Sequence, residues 1–160
     1  MVDNPQNIEH FNLVVLKLLD RLYEAFPRPL DITSTTAIDI GFDAVPENAT
    51  EEESWDIGTM AEDIIGWLSE EGFLRYEADP NHRHGNFLKV RLTLKGLTIL
   101  GYVPSSLQHP ESKASLIHKA KQAIGAGASA AGKEAVKQVV AEIFKLALAP
   151  GAAIAAVTWV

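Results

Sequence analysis

The sequence predicts a mostly helical α+β fold, on three observations. Several stretches carry apolar residues at helical spacing, one stretch alternates apolar and polar residues with the period of a strand, and Pro and Gly punctuate the joints between them. The 160 residues, 47% hydrophobic and 22% charged, suit one ordinary globular core with an appendage rather than two full domains. The absence of cysteine excludes a disulfide scaffold, a thiolate zinc site and a cysteine nucleophile together. The start MVDNPQNIEH lacks a basic run followed by an apolar one, so the expected compartment is the cytoplasm.

Asn4-Pro5 suits a helix start, with Asn as N-cap and Pro at the first helical position. Ile8, Phe11, Val15, Leu18, Leu19, Leu22 and Phe26 then recur as a core stripe, and Pro27 and Pro29 end the helix. Leu30-Asp31-Ile32 reads as a short strand, Thr36 to Ile40 as a short helix, and Gly41 to Glu53 as an acidic loop. Thr50 and Glu53 form a capping box, and Glu51 to Glu53 place negative charge at the positive end of the next helix. That helix runs to about Glu71 with the stripe Ile57, Met60, Ala61, Ile64, Ile65 and Leu68, and Gly72 stands where a left-handed C-cap is expected. Phe73–Ala78 and Phe87–Leu94 form a half-buried hairpin, with Leu88, Val90, Leu92 and Leu94 on the inner face and Lys89, Arg91 and Thr93 on the outer. Lys95 to Leu100 is one more helical stretch.

The segments Ala61-Glu62-Asp63-Ile64-Ile65-Gly66-Trp67-Leu68-Ser69-Glu70-Glu71-Gly72-Phe73-Leu74 and Val90-Arg91-Leu92-Thr93-Leu94-Lys95-Gly96 carry a resemblance. With the helix before them they resemble a winged-helix domain of the winged helix-turn-helix superfamily, over about residues 8–102. The resemblance implies a third helix leading into a β-hairpin wing, spanning a domain at 5–104, and a C-terminal helical extension at 112–160. That extension is similar to the one in uncharacterised prophage-type bacterial proteins. Winged helices commonly bind DNA through the third helix. Here its expected outward face carries Thr59, Glu62, Asp63, Gly66, Ser69 and Glu70, and no Arg or Lys lies between Glu51 and Leu74. A recognition helix brings Arg, Lys, Asn or Gln to base edges, whereas this one would bring carboxylates to a polyanion. The cations sit on the wing, at Arg75, Arg83, Lys89 and Arg91, so wing contact with phosphates is the alternative nucleic-acid reading.

Charge is divided along the chain. Residues 1–110 hold 8 Lys/Arg and 18 Asp/Glu, a net of −10, while residues 111–160 hold 6 Lys and 3 Glu, a net of +3. An acidic body repels nucleic acid at long range. In the tail, Gly127 to Lys133 resembles a phosphate-binding loop, but Glu134 stands where Ser or Thr would hold magnesium and a Lys-rich helix precedes it where a strand is required. Gly125 to Ala130 mimics a dinucleotide fingerprint, again without the strand, and position 145 is Lys rather than an acid. His82 and His84 with Asp79 are too few for a metal site. No nucleophile-elbow pattern occurs. The expectation is a protein that is not an enzyme, with no catalytic, cofactor-binding or metal-binding residue.

Ser112 or Ser115 begins a tail helix with Leu116, Ile117, Ala120 and Ile124. A second follows, its stripe formed by Val136, Val139, Val140, Ile143, Phe144 and Ala147. That stripe has three candidate covers: the chain's own body, a second subunit, or a membrane surface. Leu146 to Val160 carries no charge, yet it is shorter than the roughly 20 residues a spanning helix needs, and Pro150-Gly151 interrupts it. The expected function is protein–protein interaction or self-association in a regulatory or phage-related setting. Glu62, Asp63 and Glu70 would meet a basic partner, and Val136, Val140, Ile143, Phe144 and Trp159 would supply the tail contact. The alternatives are a DNA-binding regulator acting through the wing and membrane-surface association through the apolar tail.

Overall fold

A computed structural model describes residues 6–33, 48, 50–81, 86–101, 115–127 and 129–148. Helix α1 spans Gln6–Ala25 and strand β1 Leu30–Ile32. Helix α2 spans Glu51–Glu70, strands β2 and β3 span Leu74–Ala78 and Phe87–Leu92, and helix α3 spans Leu94–Gly101. The tail contributes α4 at Leu116–Gly125 and α5 at Ala130–Leu148. The strands form one antiparallel sheet of three, in the order β1-β3-β2. This mostly helical α+β arrangement is compatible with a winged-helix-like fold. The Asn4-Pro5 start and the Thr36–Ile40 helix lie outside the described residues, as do Arg83, His82, His84 and Trp159.

The helices form where the apolar period is closest to 3.6. Helix α1 buries Val14, Val15, Leu18, Leu19 and Leu22, whereas Ile8 and Phe26, the two ends of the expected stripe, are exposed, and the helix stops at Ala25 just before the cis Phe26–Pro27 bond. Helix α2 opens on the expected capping box. The Glu53 N–H donates to Thr50 Oγ1 at 3.1 Å, and the Thr50 N–H donates back to Glu53 Oε2 at 3.4 Å. Its inner stripe of Ala61, Ile64, Ile65 and Leu68 is buried. The exit from α2 is built on Gly72, whose φ of 85° is the left-handed conformation glycine adopts freely.

Four groups then lock the α2–β2 corner onto the start of α3. The Thr93 N–H donates to the Phe73 carbonyl at 3.0 Å and the Thr93 hydroxyl to the Gly72 carbonyl at 2.5 Å. The same hydroxyl accepts the Gly96 N–H at 3.1 Å, so Thr93 caps α3 while holding the corner. Lys95 Nζ donates to the Glu71 carbonyl at 3.0 Å, at the negative end of α2, and lies 5.5 Å from the Phe73 ring centre. Gly96 is forced by contact: a Cβ there would stand 2.3 Å from the Phe73 carbonyl oxygen.

The sheet departs from strict alternation. From Leu30↔Val90 to Ile32↔Phe87, and from Arg75↔Arg91 to Glu77↔Leu88, the outer strand advances two residues while β3 advances three. The extra residue belongs to β3 in both ladders, a bulge containing Lys89 at φ 53°. Its N–H is held by Asp31 Oδ1 at 2.9 Å. Leu94, expected on the inner face, is 73% exposed, because the strand ends at Leu92 and the chain turns into α3.

The tail helices share the core of the body. Leu116, Ile117, Ala120 and Ala123 of α4 and Val136, Val139, Val140 and Ile143 of α5 are buried in one cluster with the α1 stripe, Ile99 and Leu100. Both helices pack on α1 and α3. Of the three covers for the α5 stripe, the body is the one observed, and each such apolar side chain contributes about 1.5–3 kcal/mol on burial. The opposite charges of body and tail meet where Lys121 of α4 binds Asp20 and Glu24, one turn apart on α1. Those two hydrogen-bonded carboxylates raise the Lys121 pKa above its ordinary value.

Gly96→Ala should destabilise the chain by about 1–3 kcal/mol, the usual cost of overpacking. By contrast Gly66→Ala, which meets open space on α2, should stabilise it by about 0.5–1 kcal/mol; urea melts of both variants check the opposite signs. A chain ending at Gln108 should unfold at lower urea than the full chain, and an unchanged midpoint would show that α4 and α5 add nothing to the core.

Candidate functional site

Helical geometry places residues 52, 56, 59, 63, 67 and 70 of α2 in one line. They are Glu52, Asp56, Thr59, Asp63, Trp67 and Glu70, and all are exposed. Glu51 and Glu53 flank the line at its N-terminal end. The described ion pairs are those of Glu77, Glu142, Asp20 and Glu24, so among the described residues none of Glu52, Asp56, Asp63 and Glu70 is neutralised by a cation. The expected outward face is therefore rotated. Asp63 and Glu70 are on it, but Glu62, Gly66 and Ser69 turn aside into half-buried positions, and Asp56 and Trp67 take their place.

Trp67 was legible only as a residue that the apolar stripe of α2 leaves out. It is 38% exposed, and its other side is built into an aromatic cluster. Phe11 of α1 meets it edge-on at 5.4 Å and Phe144 of α5 at 5.6 Å, while Phe73 lies 6.0 Å from Phe144. Phe144 is thus spent on this internal cluster. Val136, Val140 and Ile143 are buried as well, at 7%, 3% and 0% exposure. The tail contact expected from these four residues is made with the chain's own body, because α1 and α3 cover the stripe. Trp159, the fifth, lies outside the described residues.

On the hairpin, Arg75, Lys89 and Arg91 are exposed. Arg75 stands directly opposite Arg91 across β2 and β3, a like-charge pairing that is unfavourable in a sheet. Lys89 reaches Glu77 at 3.6 Å, with both side chains 65% exposed, so that pair is weak.

The glycine-rich tail segment is a turn between helices. Gly127 takes φ 75° after α4. Ser129 caps α5, accepting the Gly132 N–H at 3.0 Å on its hydroxyl and the Lys133 N–H at 2.9 Å on its carbonyl. Gly132 has no room for a Cβ, which would stand 2.3 Å from the Gly127 carbonyl oxygen. The turn itself accounts for both glycines and the serine: Gly127 supplies the left-handed backbone, Gly132 the bare Cα beneath the Gly127 carbonyl, and Ser129 the helix cap. Among the described residues no group of three or more His, Asp or Glu is placed to hold a metal ion, and no helix is long and apolar enough to cross a membrane.

His10 of α1 is half-buried, and burial holds its pKa below the ordinary 6.5; nearby Glu9 and Glu53 oppose that shift and Lys133 adds to it. Because the folded chain resists the proton that the unfolded chain accepts, His10 should cost stability as pH falls through 6.5. His10→Gln should flatten the decline, measured by urea melts on either side of that pH.

Comparison with protein-family models, curated proteins and solved structures returned no match.

Proposed function

We propose that this chain is a non-enzymatic, winged-helix-like interaction module that offers the acidic face of α2 to a basic protein segment. One observation carries the reading: Glu52, Asp56, Asp63 and Glu70 stand in line beside half-exposed Trp67, and among the described residues no cation is paired to any of them. An arginine laid on this face would gain a carboxylate and the indole together. The sheet order and the position of α2 before the hairpin support the winged-helix comparison, and the acidity of α2 separates this chain from members that read DNA with that helix. A regulatory role in the cytoplasm is part of the proposal.

A second reading is favoured by the facing pair Arg75 and Arg91, whose uncompensated charge suits a phosphate backbone. Titration calorimetry with a synthetic Arg-rich helical peptide, beside a mobility shift with duplex DNA, separates the two. The peptide should bind, with an affinity that falls as salt rises, and the double variant Asp63→Lys/Glu70→Lys should weaken it at least about ten-fold. DNA binding lost in Arg75→Ala/Arg91→Ala, with no peptide binding, would replace the first reading by the second.

A further inference from the structure

The order β1-β3-β2 leaves β2 at an edge, and among the described residues its one strand neighbour is β3. Edge strands are commonly protected by a bulge that spoils the outer ladder. Here the bulge is in the central strand, at Lys89, so the five residues of β2, Leu74-Arg75-Tyr76-Glu77-Ala78, run without an inserted residue. Arg75, Glu77 and Ala78 are exposed, Leu74 is buried, and half-buried Tyr76 meets the Phe87 ring edge-on at 4.9 Å.

We infer that β2 pairs antiparallel with β2 of a second copy of this chain, about a two-fold axis through Tyr76. The strand is self-complementary in that register. Arg75 falls opposite Glu77 of the other copy, Glu77 opposite its Arg75, and Leu74 opposite its Ala78. Arg75 and Glu77 alternate with Tyr76, so both charge pairs lie on the same, solvent-facing side of the joined sheet. Each pair answers a deficit in the single chain. Arg75 has only Arg91 opposite it in its own sheet, and Glu77 has a weak, exposed partner in Lys89. A carboxylate brought to Arg75 sets a negative charge beside an unfavourable arginine pair, between Arg75 and the Lys89 that Glu77 already contacts in its own copy. The symmetric contact closes on itself and gives a continuous sheet of two copies rather than a filament. It uses neither the face of α2 nor the tail, so it stands or falls apart from the proposed partner binding.

Sedimentation velocity of the full chain over a range of concentrations reads the dimer. Arg75→Glu and Glu77→Arg should each weaken it about ten-fold or more, because both symmetric pairs then face like charges, and the double swap Arg75→Glu/Glu77→Arg should restore it. Circular dichroism checks that the variants fold. The chain has no cysteine, so a single introduced thiol tests the register. Facing strand positions have Cα atoms about 4.5–5.5 Å apart, within disulfide reach, so Tyr76→Cys should cross-link under oxidation whereas Ala78→Cys should not. A chain that stays monomeric at every concentration overturns the inference. So does a dimer that neither single charge reversal weakens, or one cross-linked through position 78 and not through 76.

Discussion

The corner at Gly72-Phe73, clasped by Thr93, Lys95 and Gly96, is the constraint on which the rest of the body depends. It sets the angle between α2 and the sheet, because the helix ends at Glu70 and β2 begins at Leu74 with no slack between them. Thr93 joins the two halves of the motif by donating to the Gly72 carbonyl while accepting from Gly96. Neither partner tolerates much change. Gly72 needs a left-handed backbone, and Gly96 needs a bare Cα beneath the Phe73 carbonyl. Once that corner is fixed, the buried side of α2 is set against α1 and its acidic side is set outward. The surface proposed as functional is thus a consequence of how one glycine-bounded turn is held.

The aromatic cluster does the corresponding work for the tail. Phe144 of α5 touches rings from α1, from α2 and from the corner itself, at Phe11, Trp67 and Phe73. A single tail side chain therefore reports on the placement of three parts of the body. At the other end of α1, Lys121 binds Asp20 and Glu24, and this partly exposed ion triad orients α4 more than it stabilises it. The division of charge between body and tail thus has an internal use. A basic tail on an acidic body is drawn to that body before any partner is involved.

How much of this was legible follows from whether the cause is local. The stripes of α1 and α2, the capping box at Thr50 and Glu53, the C-terminal glycine at Gly72 and the two hairpin strands all arise from residues within a few positions of each other, and the periodicity displays them directly. In the phosphate-loop mimic, Glu134 and the missing strand are readable in the sequence, while the cause of its glycines lies in the turn between α4 and α5. The rest is set by pairing between distant segments. The bulge at Lys89 is a relation among three strands, and a lysine at positive φ carries no sequence signal. Leu94 continues the apolar alternation two residues after the strand has ended at Leu92. An amphipathic helix such as α5 announces that one face is covered and does not say by what. Trp67 was hidden for the same reason, since its partners Phe11 and Phe144 lie far away in sequence.

The two charged surfaces of this fold select for opposite ligands. From Glu52 to Glu70 the acidic line of α2 is about 27 Å long at 1.5 Å per residue. That is several times the screening length of roughly 8 Å at physiological salt, so a partner must track the line closely to feel all of it. A basic helix lying along α2 can do so, and a phosphate backbone is repelled along the same length. The arginines of the hairpin impose the converse requirement, a carboxylate or phosphate brought to Arg75 and Arg91. The proposed pairing of two β2 strands would supply that carboxylate from within, as Glu77 of the second copy. Satisfied in this way, the hairpin loses much of its attraction for nucleic acid, while the acidic face of α2 stays open on both copies. Self-association and basic-partner binding are then compatible, and each makes DNA a poorer ligand for the assembled protein than for the single chain.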